Sequence, residues 1–514
     1  MLKIILLIFR FNSVRAQCPL VCSCDDHDKT ANCESQELEA VPENLPWFVQ
    51  DLSLSENKLN RIPKNAFPGK NNLLMLNFRN NELVDIVDGA FADQKKLKTL
   101  TLSNNLLTRV PTNGILSAKQ LKELFLDHNK IQMIRQKAFY ENSELEWLHL
   151  ANNNISMIAG DAFSGLNQLR FLNLEGNQIK AIGARVLAHL SSCVILDLSS
   201  NLIKLIHEDA FKPLSSANTV KLDSNKLSDN SFPKNVFERS SKLEVLTLTN
   251  NSIAMIPPPE VLNGLNSIVT LSLSSNQIVL VKKKGMISTP TLRRLHLDDN
   301  RITILEPECF DGLNNIRELD LSNNKIKAIS NHRFDDFVEL EKLDLSKNEI
   351  STVDSGSFSK MAHLKEIDLS KNKIEELDSE IFAQNSKLHQ LSLNNNNLKL
   401  PHINWVKNAD HLSVKLDKNP WTCDCHMVAF LNSFLDGRHS AITVFNQIIC
   451  DEPEELKGHP VNDIDEGHMH CWQEIDLLWD AAVVIWLVSF LYIMRKWRVL
   501  QICCCCFSKT SKTT

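Results

Sequence analysis

One spelling recurs through most of this chain and limits what it can fold into. In residues 121–131, Leu121, Leu124 and Leu126 are followed by Asn129 and then Ile131. The same figure places an asparagine at Asn57, Asn81, Asn105, Asn129, Asn153, Asn177, Asn201, Asn225, Asn251, Asn276, Asn300, Asn324, Asn348, Asn372 and Asn396. The step is 24 residues throughout, apart from 26 between Asn225 and Asn251 and 25 between Asn251 and Asn276. Fifteen copies at so regular a period predict a stack of like units, not a string of separate globules.

The physics of one unit accounts for its spelling. Leu124-Phe125-Leu126 alternates, so Leu124 and Leu126 point inward from a short strand and Phe125 points out. The chain then turns, which strands backbone N–H and C=O groups inside. An asparagine carboxamide both donates and accepts, so this one residue type can bridge its own turn and the next. Ten residues further on a second apolar column appears: Phe67, Phe91, Phe139, Phe163, Phe211, Phe310, Phe334, Phe358 and Phe382, with Phe237 displaced by the longer eighth unit. No unit buries its apolar edges alone, so neighbours must stack, at roughly 4.8 Å per strand. Length alone, at 514 residues, suggests three or four domains, but a solenoid has no single core to saturate.

The repeat resembles the extracellular leucine-rich-repeat family. The fold this implies is an α/β solenoid, a horseshoe with a parallel concave sheet, disulfide caps at both ends and one transmembrane helix. Cys18, Cys22, Cys24 and Cys33 precede the repeats in the order C-x3-C-x-C-x8-C, similar to that family's N-terminal cap. Four cysteines allow three pairings, and spacing does not choose among them; the resemblance implies Cys18–Cys24 and Cys22–Cys33. After the repeats, Asn419-Pro420-Trp421 leads into Cys423-Asp424-Cys425, with Cys450 and Cys471 downstream. This resembles the family's C-terminal cap and implies Cys423–Cys450 and Cys425–Cys471. Val428, Leu431, Phe434 and Leu435 fall at helical spacing, suited to a helix lidding the last turn.

The remaining organisation follows from local composition. Residues 1–16 read as a signal peptide, with Lys3, an apolar run and Val14-Arg15-Ala16 as a small-residue cleavage site. The N-terminal cap takes residues 17–46, the repeats 47–401 and the C-terminal cap 402–474. Residues 475–494 read as a membrane span, apolar from 477 to 494 except for Asp480. Arg495-Lys496-Trp497-Arg498 follows and places the tail, residues 495–514, in the cytoplasm, a single-pass type I orientation at the plasma membrane. Cys503, Cys504, Cys505 and Cys506 lack the spacing that wraps a zinc ion and suit palmitoylation. Asn154 and Asn250 head glycosylation sequons, each beside a repeat asparagine. Cys193 and Cys309 occupy core columns and read as buried thiols.

No catalytic constellation is present in the sequence: no G-x-S-x-G, no H-E-x-x-H and no phosphate loop. We expect no enzyme activity, no cofactor and no metal. His468-Met469-His470-Cys471 is discounted because the cap takes Cys471, and the column Asp320, Asp344, Asp368 reads as a solvated stripe. A net charge of −6 gives no reason to expect nucleic acid. Lys282-Lys283-Lys284 reads as a solvated run beyond the strand, with acidic glycan as the alternative. The irregular eighth and ninth units, with Asp229-Asn230-Ser231 and Pro257-Pro258-Pro259, are expected to bulge away from the strands.

Function is expected on the concave face. Outward strand positions lie six, four and two residues before each asparagine. There Trp147, Phe171 and Ile195 share a column on successive turns, with Phe125 and His149 one column over. Large apolar groups aimed at water mark interaction sites. Asp127, Glu175 and Asp197 border them. The expected partner is an extracellular or cell-surface protein, with Trp147 as its main anchor; a second copy of the chain covering the face is the alternative. Caps, repeats and span resemble Slit-like, Trk-like and LRIG-type ectodomains, which implies adhesion, co-receptor function or receptor modulation. The LRIG type carries immunoglobulin domains between cap and membrane, whereas only residues 472–476 intervene here. Toll-like pattern recognition, as a decoy without a signalling domain, is the second reading.

Overall fold

The computed structural model describes residues 18–405, 412–435 and 448–461. Eighteen strands of three residues each form one sheet. The first pair, Ser23–Asp25 with Thr30–Asn32, is antiparallel; from Thr30–Asn32 onward every pairing is parallel and in sequence order. The register advances one repeat per strand, with Leu100 opposite Leu124 and Leu124 opposite Leu148. The longer eighth unit keeps it too, with Val220 opposite Leu246 and Leu246 opposite Leu271. A parallel pair needs a return path, and here the rest of each unit supplies it along the outer side.

The asparagine of each unit behaves as its chemistry requires. Asn129 Nδ2 donates to Leu102 O at 2.9 Å and Leu126 O at 3.1 Å, and its Oδ1 accepts from Leu107 N at 3.0 Å. One side chain thereby satisfies buried backbone groups on two adjacent turns. The column has one more rung than the sequence suggested. Asn419 accepts from Leu398 N at 3.1 Å and donates to Leu393 O at 3.0 Å, and the strand Ser413–Lys415 adds to the sheet. That turn departs from the repeat after its asparagine, where Pro420 and Trp421 divert the chain into the cap.

The phenylalanine column lies in the core as stacked rings. Phe139 and Phe163 lie 6.2 Å apart and 7° from coplanar, and Phe358 and Phe382 5.9 Å and 4°. Phe237 stacks on Phe211 at 5.4 Å, so the insertion leaves the column in register. Removing one such ring costs about 3–5 kcal/mol.

The outer side differs from the α/β expectation. It carries two-residue strands, such as Arg61–Ile62 paired with Asp85–Ile86, and turns. The helices described within the repeats are the four-residue Thr112–Ile115 and Pro259–Leu262. With the concave strand, the asparagine turn and the phenylalanine column taken from 24 residues, the return segment is too short for a stable helix. The fold is a β-rich solenoid whose sheet is parallel from Thr30–Asn32 onward.

Disulfides Cys18–Cys24 and Cys22–Cys33 close the first turn, and Cys423–Cys450 the last, as the resemblance implied. Cys471 lies outside the described residues. The cap helix spans Cys425–Leu435 and buries Met427 and Phe430, one residue off the face read from sequence; Val428 and Leu431 are half-buried. Cys193 and Cys309 are buried free thiols. The signal-peptide, membrane-span and tail-cysteine expectations fall outside the described residues, among which no helix is long and apolar enough to cross a membrane.

Candidate ligand-binding face

The strands Glu123–Phe125, Trp147–His149, Phe171–Asn173 and Ile195–Asp197 lie side by side. Alternation sends Leu124, Leu148, Leu172 and Leu196 into the core and their flanking residues outward. The register sets Trp147 opposite Phe171 and Phe171 opposite Ile195, as the spacing predicts, and Phe125 opposite His149.

Four rings make one connected cluster. Phe125 and His149 stack at 4.5 Å, His149 meets Phe171 at 5.0 Å, and Phe171 meets Trp147 at 5.2 Å. Offset and tilted ring pairs at these separations attract beyond the area they bury. The rings shelter one another and stand on backbone locked in the sheet, so the cluster is rigid before any ligand arrives. Trp147 is 41% exposed, and Phe125, Phe171, His149 and Ile195 are half-buried. Burial holds the His149 imidazolium pKa below its ordinary value, with Asp127 and Glu123 pulling the other way.

The acids divide into two kinds. Asp127 accepts from Ser103 Oγ at 2.7 Å, and with Glu175, Arg79 and His128 it walls an open recess of about 440 Å³ floored by Phe125 and His149. Asp197 departs from the expectation of an open rim acid. It is 6% exposed, accepts from Ser199 N at 3.0 Å and pairs with Lys221 Nζ at 3.2 Å. Its charge serves the sheet, because Lys221 stands opposite it on the next strand.

The same columns are polar further along. Lys342, in the column of Trp147, lies between Glu318 at 3.8 Å and Glu366 at 4.0 Å, and just ahead of these strands Arg317 pairs with Glu341 at 3.0 Å. Such exposed pairs contribute little stability and solvate the face. Asp320 and Asp344 sit in register with His296, and His296, Asp298 and Asp320 bring ligand atoms within 4.8 Å of one another. Sequence reasoning treated the acids as a stripe and did not add His296. Asp298 accepts from Ser274 Oγ at 2.5 Å and Asp320 from Ser322 N at 2.9 Å, so protein donors already serve both. Asn154 and Asn250 are exposed beside the asparagine column, and Asn250 Nδ2 donates to Ser224 Oγ at 3.0 Å.

The repeat is shared with known proteins. Mouse leucine-rich repeat-containing protein 26 is 41% identical over 66 residues, 13% of this chain and 20% of that protein. Human trophoblast glycoprotein is 39% identical over 51 residues, 10% of this chain and 12% of that protein. The match thus spans a fifth or less of either relative's length. Among solved structures, a leucine-rich-repeat protein of Leptospira interrogans superposes with a TM-score of 0.61 at 26% identity, over 72% of this chain and 90% of that one. The Drosophila Toll–Spatzle complex gives 0.71 at 21% identity, over 85% of this chain and 60% of the other. The leucine rich repeat family pattern matches residues 49–108, 119–179, 173–227, 290–350 and 338–398. These segments cover more than half of the sequence, and the chain belongs to the leucine-rich-repeat family.

Proposed function

We propose that this chain is the recognition ectodomain of a single-pass plasma-membrane protein and binds an extracellular or cell-surface protein through its concave face. The observation that carries the reading is the ring cluster Phe125–His149–Phe171–Trp147, contiguous and partly open to solvent. Aromatic groups already fixed in place gain affinity at little cost in ordering entropy, which is why they dominate protein interfaces. Disulfides at both ends fit an oxidising compartment. The Toll coil, similar in fold, was solved as a complex with the protein Spatzle; the same class of partner is proposed here. In this reading residues 475–494 anchor the chain, Cys503–Cys506 carry lipid and Asn154 and Asn250 carry sugar.

The reading is tested by displaying the full chain on cells and screening it against a library of surface and secreted proteins. A specific protein partner that binds the native chain and fails to bind Trp147→Ala, expressed to the same level, is the expected result. Capture of microbial glycolipid or nucleic acid in place of any protein would transfer the chain to pattern recognition. A protein partner indifferent to Trp147→Ala would remove the concave patch from the mechanism.

A further inference from the structure

Three irregular features of the sequence converge on one spot. The extra residues of the eighth unit form the 3-10 turn Asp229–Ser231. The ninth unit replaces its outer strand with Pro257 and Pro258, which lack amide hydrogens, and enters the helix Pro259–Leu262. The tenth unit brings Lys282, Lys283 and Lys284 alongside. Asp229 Oδ1 takes over work usually done by backbone carbonyls, accepting from Ala254 N at 2.9 Å and Met255 N at 3.0 Å. The outer ladder lapses in these two units among the described residues, and a recess of about 450 Å³ occupies the gap.

The recess is apolar inside, with three lysines at its mouth. Phe232, which the insertion shifts into the column of Ile206 and Ile256, is buried together with Ile253 and Val261. Met255 and Ile287 form its lips, 42% and 47% exposed. Lys283 pairs with Glu308 at 3.0 Å and Lys284 with Asp311 at 3.7 Å, while Lys282 has no ion-pair partner among the described residues. Asp229, the acid that lines the recess, is held by the two backbone amides. Glu306 also accepts from Lys283 N at 2.8 Å, so of the three lysines Lys282 is the one left to meet an incoming anion. The volume falls within the range of small-molecule sites, which are mainly apolar with a few fixed polar groups.

We propose that this recess binds a small amphipathic anion, an apolar chain ending in a carboxylate. The chain lies on Phe232, Ile253 and Ile256, and the carboxylate meets Lys282. The site is on the outer side of the coil, away from the concave face, so its occupancy and protein binding through Trp147 are separable.

The test uses the full-length chain in lipid nanodiscs and a photoreactive diazirine decanoate, with labelled peptides mapped by mass spectrometry. Label is expected on residues 253–261 and 280–287, displaced by decanoate and about fivefold less well by decanol, the size of one half-exposed charge pair. Ile287→Trp, at an exposed lip, fills the recess and abolishes that label. Lys282→Glu, a surface change that leaves packing alone, weakens displacement by decanoate about fivefold and leaves decanol unchanged. Label elsewhere on the ectodomain, equal displacement by acid and alcohol, or labelling unaltered by Lys282→Glu would each overturn the proposal. Should Ile287→Trp unfold the coil, seen as a lowered Tm, the response of Lys282→Glu decides between the outcomes.

Discussion

Asn225 Oδ1 accepts the backbone amide of Ile203 at 3.0 Å, across 22 residues of chain and one turn of the coil. The same side chain donates to Leu198 O at 3.0 Å and Leu222 O at 3.1 Å, and is 2% exposed. Asn225→Ala leaves the Ile203 amide buried without a partner, at a cost of about 1–3 kcal/mol, while Leu198 O keeps Asn201 Nδ2 and Leu222 O keeps Asn251 Nδ2. Because every unit leans only on its neighbours, the damage should be local. Native-state hydrogen exchange should show units seven to nine opening early, with the Cys22–Cys33 end still protected. A uniform loss of protection along the whole coil would contradict nearest-neighbour stacking.

His149 gives the ring cluster a pH dependence of defined sign. Burial holds its folded pKa below the ordinary 6.5, so on acidification the unfolded chain takes the proton first. Its contribution to stability is complete above the ordinary value, falls as pH drops from there to the folded value, and then levels off. Denaturant unfolding of the native chain and His149→Phe, compared at several pH values, should show the acid-side decline shallower in the variant. Identical slopes would mean that the imidazole is solvated as in a free peptide.

Most of the fold was legible because the constraint is periodic. Asn57 to Asn396 were readable, since each must satisfy the same orphaned backbone groups. Asn419 was read as the start of the cap and not counted in the column, because its unit has no second half to complete the spelling. Trp147, Phe171 and Ile195 were placed correctly on one column, as strand alternation and a fixed step leave no freedom. That Asp197 is buried was not legible, because it depends on Lys221 reaching across from the next strand. Nor was the recess at Phe232. The sequence marks Asp229-Asn230-Ser231 and Pro257-Pro258-Pro259 as irregular, but no periodic rule says that both interruptions face the same gap.

The two unpaired thiols among the described residues should be chemically silent. Burial pushes the pKa of Cys193 and of Cys309 up to about 12, and only the thiolate alkylates readily. Iodoacetamide at neutral pH should leave the peptides carrying Cys193 and Cys309 unmodified in the native chain and modify both in denaturant. Native-state labelling of Cys193 would show that the seventh unit opens far more often than its packing implies.

Asp229 is the polar pin of the irregular joint. Both amides donate to the one oxygen Oδ1, so Asp229→Ala removes their acceptor and Asp229→Asn keeps it while losing the charge. The alanine variant should lose about 1–3 kcal/mol in denaturant unfolding and the asparagine variant less. Equal losses would show that the charge, not the acceptor, matters there.

The last prediction concerns how Trp147 and Phe171 share their work. Their rings lie 5.2 Å apart, and both face outward, so neither is needed for the core. Trp147→Ala should weaken binding of the protein partner by more than about 2 kcal/mol, roughly thirtyfold, with Tm nearly unchanged. Phe171→Ala removes the surface against which the indole rests, so part of its cost is Trp147 losing its fixed pose. The two losses should therefore not add. A double-mutant cycle on partner affinity should return a coupling of about 0.5–1.5 kcal/mol. Control pairs such as Trp147 with Lys342, eight strands away in the sheet, should add within about 0.5 kcal/mol. Strict additivity for Trp147 and Phe171 would mean that the rings act as independent contacts and that the cluster is not a prearranged unit.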